Sequence, residues 1–355
     1  MGAAQRSRAK WALAGFRFGL LVLLGVLALP IIIGTAGAGA GGVMLANPIL
    51  AGISSNPTIT SYANGAAQAA VMPVADFLAP RVPCARRITN YKSYDQKQRF
   101  RIPDTIREIG GDATKVGFGG STVPLALDAH ALDFPFDYDE ADEEADLMNH
   151  AREGADFCSQ LGSLSHEKTT VDLALGAAGA GTDSNFTDAA TDPVDLLDAE
   201  IENVLLAAKF GSALGVRIVM GATAWRRTKN NAKVLARYRG KVRQGSAPDL
   251  NDFGALLLSK PEVRTSFMVF DDAPQGVDED IKFMLDDAIL IFAALENPTR
   301  FDPSFMKTFF LRDKWMVPGG YEKQDGRGGV VKFDWTAKPV VTNSAAIKRI
   351  NAKNA

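Results

Sequence analysis

The sequence predicts an α+β chain in which a compact α/β layer is flanked by β-rich parts, and three observations predict it. Helix and strand patterns alternate over residues 193–295. A proline-free stripe of apolar residues with helical spacing runs from about Glu143 to Leu175. Period-two segments, Arg99-Phe100-Arg101-Ile102 and Val331 to Thr336, lie on either side, as strands with one solvated face do. A chain of 355 residues is too long for one core of common size, and 46% hydrophobic with 23% charged residues is a globular composition.

Residues 1–75 contain no Asp or Glu. Arg6, Arg8, Lys10 and Arg17 precede the apolar run Phe18–Ile33, broken only by Pro30, and small residues follow from Gly34 to Ala40. Three readings fit this start: a secretory signal, a short membrane anchor, or an extension upstream of a true start at Met44. From Met44 to Pro80 the residues are small and polar, and Pro48, Pro57, Pro73 and Pro80 forbid one long helix. An extended arm with short helical pieces is expected there. Tyr91, Tyr94 and Phe100 stand amid charges, glycines at 110–111 and 117–120 break the chain, and Val123–Phe136 resumes an apolar pattern. Together these predict a long two-stranded excursion with a glycine-rich tip.

The acidic run Asp137–Asp146 leads into the long helix, where carboxylates suit the positive end of the dipole. Its stripe is Leu147, Ala151, Ala155, Cys158, Leu161 and Leu164. Gly154 and Gly162 oppose it, each costing about 1 kcal/mol relative to Ala in a helix interior. Gly176–Gly181 ends the helix, and a loop rich in Thr, Asp and Asn is expected after it. Asp192-Pro193 caps the next helix, which continues through Leu197, Ile201 and Val204. Val216–Met220 then reads as a buried strand, Ala222–Tyr238 as one helix and Leu250–Leu258 as a short one. Ser266–Phe270 and Ala288–Leu295 read as strands, and Val331, Phe333 and Trp335 alternate with Lys332, Asp334 and Thr336 along the last.

Much enzymology has no signal in the chain. No phosphate-loop, H-E-x-x-H, C-x-x-C or G-x-S-x-G pattern occurs. The histidines are His130, His150 and His166, and His166-Glu167 lacks the second histidine that a zinc helix requires. The acidic run lacks the glycine and alternating ligands of a calcium loop. Cys84 and Cys158 read as reduced structural thiols. No catalytic residue, metal, cofactor or small-molecule substrate is expected.

The net charge of −2 averages two opposed blocks. Residues 137–202 carry eighteen acids against Arg152 and Lys168, whereas residues 204–248 carry ten bases and no acid. Such blocks meet within a subunit or across neighbours. Arg226, Arg227, Lys229, Lys233, Arg237, Arg239, Lys241 and Arg243 could bind phosphate. The spacing of Trp225, Val234, Leu235 and Tyr238 seats their helix on a core with the bases outward, which favours an interface or solvent over specific nucleic-acid contact.

In this order of elements the chain resembles the major capsid proteins of tailed bacteriophages, with the Hong Kong 97 fold. The resemblance runs from about Met44 to Ala355. It is carried by Asn56–Thr60 and Ala75–Pro83 at the arm, Tyr91–Asp95 at the extended loop and Tyr138–Asp146 at the turn into the spine helix. Leu214–Gly221 with Ala224-Trp225, and Lys332–Trp335, carry the rest. It does not explain the apolar extension at 1–43, which favours a start at Met44, and it implies an arm at 44–85, an extended loop at 86–128 and a peripheral domain with the spine helix at 129–192. An axial domain at 193–295 and peripheral return strands at 296–355 complete the division. The implied role is a self-assembling shell subunit, forming hexamers and pentamers around double-stranded DNA that it touches only by non-specific proximity. The virion, and the host cytoplasm during assembly, are the implied locations. Residues 1–43 are too short and apolar for the scaffolding segment of some relatives, so a separate scaffolding protein, or none, is implied, with a portal as a further partner. Candidate interface residues are Tyr91, Lys92, Tyr94, Arg99 and Arg101 on the loop, Arg226, Arg227, Arg237 and Arg239 on the basic helix, and Asp139, Glu143 and Glu144 in the acidic run. The competing readings are an exported or membrane-anchored α/β ligand-binding protein and an α/β enzyme with a carboxylate-only site.

Overall fold

The computed structural model describes residues 74–94, 102–107, 109–117, 120–139, 147–208, 215–239, 248–274, 276–300, 302, 304–312 and 314–354. All lie in the unit that runs from Ala46 to Ala355. The apolar start, the arm before Val74, the strand expected at 99–101 and the acidic residues 140–146 lie outside the described residues.

Two five-stranded sheets organise the fold. In the first, the long strand β13 (Gly328–Val341) pairs along one edge with β4 (Asp128–Asp137). Its other edge is shared by β12 (Val317–Glu322) and β11 (Met306–Leu311), and β1 (Arg81–Cys84) adds to β11 in parallel. The period-two pattern places Val331, Phe333 and Trp335 in the core, while Lys332 and Asp334 are half-exposed. Thr336 departs from the pattern and is buried.

The second sheet has the order β5 (Thr182–Asn185), β14 (Ile347–Lys353), β10 (Ala288–Ala294), β6 (Gly215–Gly221) and β7 (Glu262–Ser266). All seven residues of β10 are buried, as expected of a central strand covered on both faces. The return from β6 to its parallel partner β7 needs a crossover, which helices α4 (Ala222–Asn230), α5 (Ala232–Arg239) and α6 (Leu250–Gly254) supply. The stretch expected to be a loop after Gly181 contributes β5, because its backbone finds an open edge of β14. The strands after residue 296 thus divide between the two sheets.

A 32-residue helix, α2 (Leu147–Ala178), packs on both sheets. Ala151, Ala155 and Cys158 lie against the first, whereas Val171 and Ala174 join the main core with Leu197, Ile201 and Val204 of α3 (Pro193–Ala208). The expected stripe therefore holds at Ala151, Ala155 and Cys158, while the side chain of Leu147 lies outside the described residues. Leu161 is exposed, and Gly162, Glu167, Thr170 and Val171 are buried instead. The two glycines explain the change. A Cβ on Gly154 would lie 2.5 Å from the Phe134 ring, and one on Gly162 would lie 3.4 Å from the Trp335 ring. Bulk supplied by β4 and β13 takes the space that helix side chains would occupy.

The single helix expected over 222–238 is two, separated at Asn231. That side chain is buried, donates to the carbonyl oxygens of Phe186, Asp188 and Thr191, and accepts from Lys233 N at 2.9 Å. Three carbonyls of the preceding loop are satisfied at the expense of helix continuity. The helix expected to reach Leu258 stops at Gly254, where a Cβ would meet Pro261 O at 2.6 Å. The strand expected at Ser266–Phe270 is also two, β7 and β8 (Val269–Asp271), and among the described residues β8 pairs only with β9 (Ile281–Phe283).

The glycine contacts predict opposite outcomes for one substitution. Gly154→Ala must displace Phe134, and the overpacking, about 1–3 kcal/mol, should outweigh the gain in helix propensity. Gly162→Ala makes an ordinary contact and should be neutral or stabilising by up to about 1 kcal/mol. Urea unfolding of the two variants, followed by circular dichroism, checks the difference in sign.

Candidate functional site

The extended loop begins where β2 (Ile88–Tyr94) and β3 (Gly120–Ala126) pair in antiparallel register, Tyr91 opposite Val123. Its root is built into the first sheet. Leu125 and Leu127 are buried with Val82, Cys84 and Phe309, and Tyr91 stacks on Phe309 at 5.9 Å. Arg87 and Leu127 close the root, with Leu127 N donating to Arg87 O at 3.0 Å and Arg87 Nε to Leu127 O at 3.1 Å. Farther out, residues 102–107 and 109–117 have no regular secondary structure beyond a turn at 109–110, and Thr114 Oγ1 donates to Asp104 O across them. Ile102, Ile106, Ile109 and Val116 are exposed there.

A second junction lies where the arm reaches the body. The short helix α1 (Ala75–Leu78) has no side-chain cap of its own. Glu167 of α2, 1% exposed, replaces it: Val74 N and Ala75 N donate to its two carboxylate oxygens at 2.9 and 2.7 Å. Phe77 lies edge-on to Phe292, with the guanidinium groups of Arg217 and Arg264 4.9 and 4.3 Å from its ring centre. Asp76 pairs with Arg81 at 2.8 Å, and Arg81 lies over the Trp315 ring. Four residues of α1 thus tie the long helix to both sheets.

Burial pushes the Glu167 carboxyl up to about 7, against the two backbone donors and with Asp76 adding to the rise. Beside it, burial pulls His166 down to about 4, with Arg81 and His130 contributing. His166 Nε2 is buried without a hydrogen-bond partner among the described residues, and its ring meets Trp315 edge-on. Among the described residues no cluster of three His, Cys, Asp or Glu is placed to hold a metal, and no helix is long and apolar enough to cross a membrane.

Comparison with known proteins gives these features a context. A scan of protein-family models finds no match. The chain is 29% identical over 181 residues to a major capsid protein of Pseudomonas phage JBD67, covering 48% of this chain and 55% of that one. It thus spans only about half the length of that curated relative. A phage-related protein from Bordetella bronchiseptica superposes with a TM-score of 0.62 at 15% identity, covering 83% of this chain and 96% of that one. The capsid protein of cyanophage P-SCSP1u superposes with a TM-score of 0.52 at 12% identity, covering 78% and 87%. The fold is the Hong Kong 97-type capsid fold of tailed phages.

In the terms of the capsid fold, β2 and β3 form the extended loop and α2 is the spine helix. The sequence-derived candidates divide unequally over this frame. Tyr91 packs within its own chain at the loop root. Lys92 and Tyr94 lie on β2, but their side chains, like Arg99, Arg101, Glu143, Glu144 and the side chain of Arg239, are outside the described residues. Asp139 is exposed beyond β4, and Arg226 is exposed on α4. Arg227 donates to Ala352 O of β14. Arg237 pairs with Asp192 at 2.7 Å and Asp195 at 2.8 Å, so the basic and acidic blocks meet within the subunit at the start of α3. Sequence reasoning missed the Glu167 junction, whose only signal was a lone carboxylate on the inner face of a helix.

The junction predicts a pH signature. The folded pKa of Glu167 lies above its ordinary 4.5, so its contribution to stability is greatest below pH 4.5 and is lost as pH rises through about 7. His166 acts oppositely, its contribution being present above 6.5 and lost as pH falls toward 4. Between pH 5 and 8, wild type should lose stability relative to Glu167→Gln as pH rises, measured by urea midpoints. The variant should also lose about 1–3 kcal/mol of protection at the Val74 and Ala75 amides, read by hydrogen exchange.

The pairing of Arg237 predicts a charge effect. Arg237→Glu places a third carboxylate beside Asp192 and Asp195, and should cost about 1 kcal/mol at this half-exposed site. The cost should shrink in 1 M salt as screening lengths fall to about 3 Å. Thermal unfolding at low and high salt measures it.

Proposed function

We propose that the chain is the structural subunit of an icosahedral shell of a tailed phage or prophage, assembling into hexameric and pentameric capsomers that enclose double-stranded DNA. The observation that carries this reading is sequence similarity to a phage major capsid protein in a chain with the capsid fold. The role is geometric rather than catalytic, exercised in the virion and, during assembly, in the host cytoplasm. Copies of the chain are the principal partners. A separate scaffolding protein, or none, and a portal complete the assembly partners of this reading, and DNA is met by proximity without sequence recognition.

Assembly on this reading sums several moderate contacts into a closed symmetric particle. The extended loop lies across a neighbour, carrying Lys92, Tyr94, Arg99 and Arg101, while Tyr91 keeps its root rigid. The arm crosses another subunit from the Glu167 junction. Arg226 and Arg239 face acids of the run containing Asp139, Glu143 and Glu144 on adjoining copies, while Arg227 and Arg237 are held within their own chain. Charge contacts of this kind set register and rate more than affinity.

Electron microscopy of the purified full chain, produced with any scaffolding partner supplied, tests the proposal. Closed shells are expected, formed at a rate that falls steeply with ionic strength. Monomers or small open oligomers under every salt condition would overturn it.

A further inference from the structure

Two carboxyl groups meet where α1 seats on α2, one from each helix. Glu167 of α2 is 1% exposed and accepts from Val74 N and Ala75 N. Asp76 of α1 accepts from Arg81 at Oδ2, 2.8 Å away, while its Oδ1 is buried with no hydrogen-bond partner among the described residues. An unpaired buried carboxylate oxygen is costly, and it is an acceptor for a proton placed opposite it. The two groups are close enough for the charge of Asp76 to raise Glu167, and burial raises both. Like charges held together out of water favour one shared proton over two carboxylates.

The surrounding charges are committed elsewhere. Arg81 of β1 is held by Asp76 and lies over the Trp315 ring, and Lys307 of β11 is paired with Asp302. Arg217 of β6 and Arg264 of β7 lie against Phe77, with Glu262 as their acid partner. His166 of α2 meets Trp315 edge-on, and His130 of β4 stacks on Trp335. Thr170, one turn along α2, also has a buried hydroxyl oxygen without a partner among the described residues. A carboxylate is the stronger acceptor for an acid O–H.

We propose that the seat of α1 on α2 is a proton-operated latch, in which Glu167 and Asp76 share one proton and α1 opens from the folded body when that proton is lost. On seating, water supplies the proton to Glu167, whose O–H donates to Asp76 Oδ1 while its oxygens still accept from the two backbone amides. On opening, the proton returns to water. The seated Glu167 titrates near 7 and a free one near 4.5, so engagement is tightest at low pH and weakens as pH rises through about 7. His166 titrates with the opposite sign. The latch belongs to the single chain and stands apart from the shell-subunit reading.

Amide hydrogen exchange of the full chain, read by mass spectrometry and corrected for intrinsic rates, tests it. The Phe77, Leu78 and Ala79 amides donate to Val74 O and Ala75 O. From about pH 5.5 to about pH 8.5 their protection should fall by at least about tenfold while that of β10 holds. His166→Phe removes the opposing titration and should steepen the fall. Glu167→Gln should abolish the pH dependence, and Asp76→Asn should move its midpoint to lower pH. Protection that is flat in both wild type and His166→Phe, or a fall that survives Glu167→Gln, would overturn the latch. A midpoint that Asp76→Asn leaves in place would overturn the shared proton. If Glu167→Gln does not fold, Asp76→Asn decides alone. Each of these results leaves the shell-subunit reading standing.

Discussion

One helix has to serve two sheets. At 32 residues α2 is about 48 Å long, enough to lie along the first sheet with its amino-terminal half and enter the main core with its carboxy-terminal half. Every other junction follows from that span. The first sheet presses Phe134 and Trp335 into the helix where glycines leave room, and the second sheet receives Val171 and Ala174. The helix is thereby the common member of both cores, and a shift at one end is felt at the other because packed interiors do not deform gradually.

The arm root uses this common member. Glu167 holds α1 by two backbone amides, and Phe77 fastens the same turn to the second sheet through Phe292 and the flanking arginines. A buried carboxylate with two donors is worth keeping only if its environment keeps both amides in place, since losing either leaves a costly unpaired group. At this junction a few residues join the long helix to both sheets. Lys307 acts similarly at smaller scale: fully buried, it pairs with Asp302 at 3.0 Å and donates to Thr299 O, pinning the turn between the two sheets.

The charge blocks illustrate how a sequence sum misleads about location. Ten bases in 204–248 suggested an outward-facing patch. Arg237 turns back to Asp192 and Asp195, Arg227 to the carbonyl of Ala352, and Lys233 to that of Ala190. Part of the basic block is spent inside the subunit, stabilising the start of α3 and the edge of β14. Among the described residues, Arg226 is the member of the block that stays exposed on α4.

Local pattern alone determined the elements whose residues answer to their neighbours in sequence: the long helix, the Asp192-Pro193 start with Asp192 capping Val194 N, the buried strand at β6, and the alternation of Val331, Phe333 and Trp335. The capsid resemblance could be reached from their order. Tertiary structure decided whatever depends on a distant partner. The outward turn of Leu161, the inward turn of Glu167, the break at Asn231 and the division of Ser266–Phe270 between β7 and β8 each answer to a ring, a carbonyl or an amide far away in the chain. Periodicity reports which face of an element is apolar on average. It cannot report which buried polar group has a partner waiting, and in this protein those groups join the helix, the sheets and the arm.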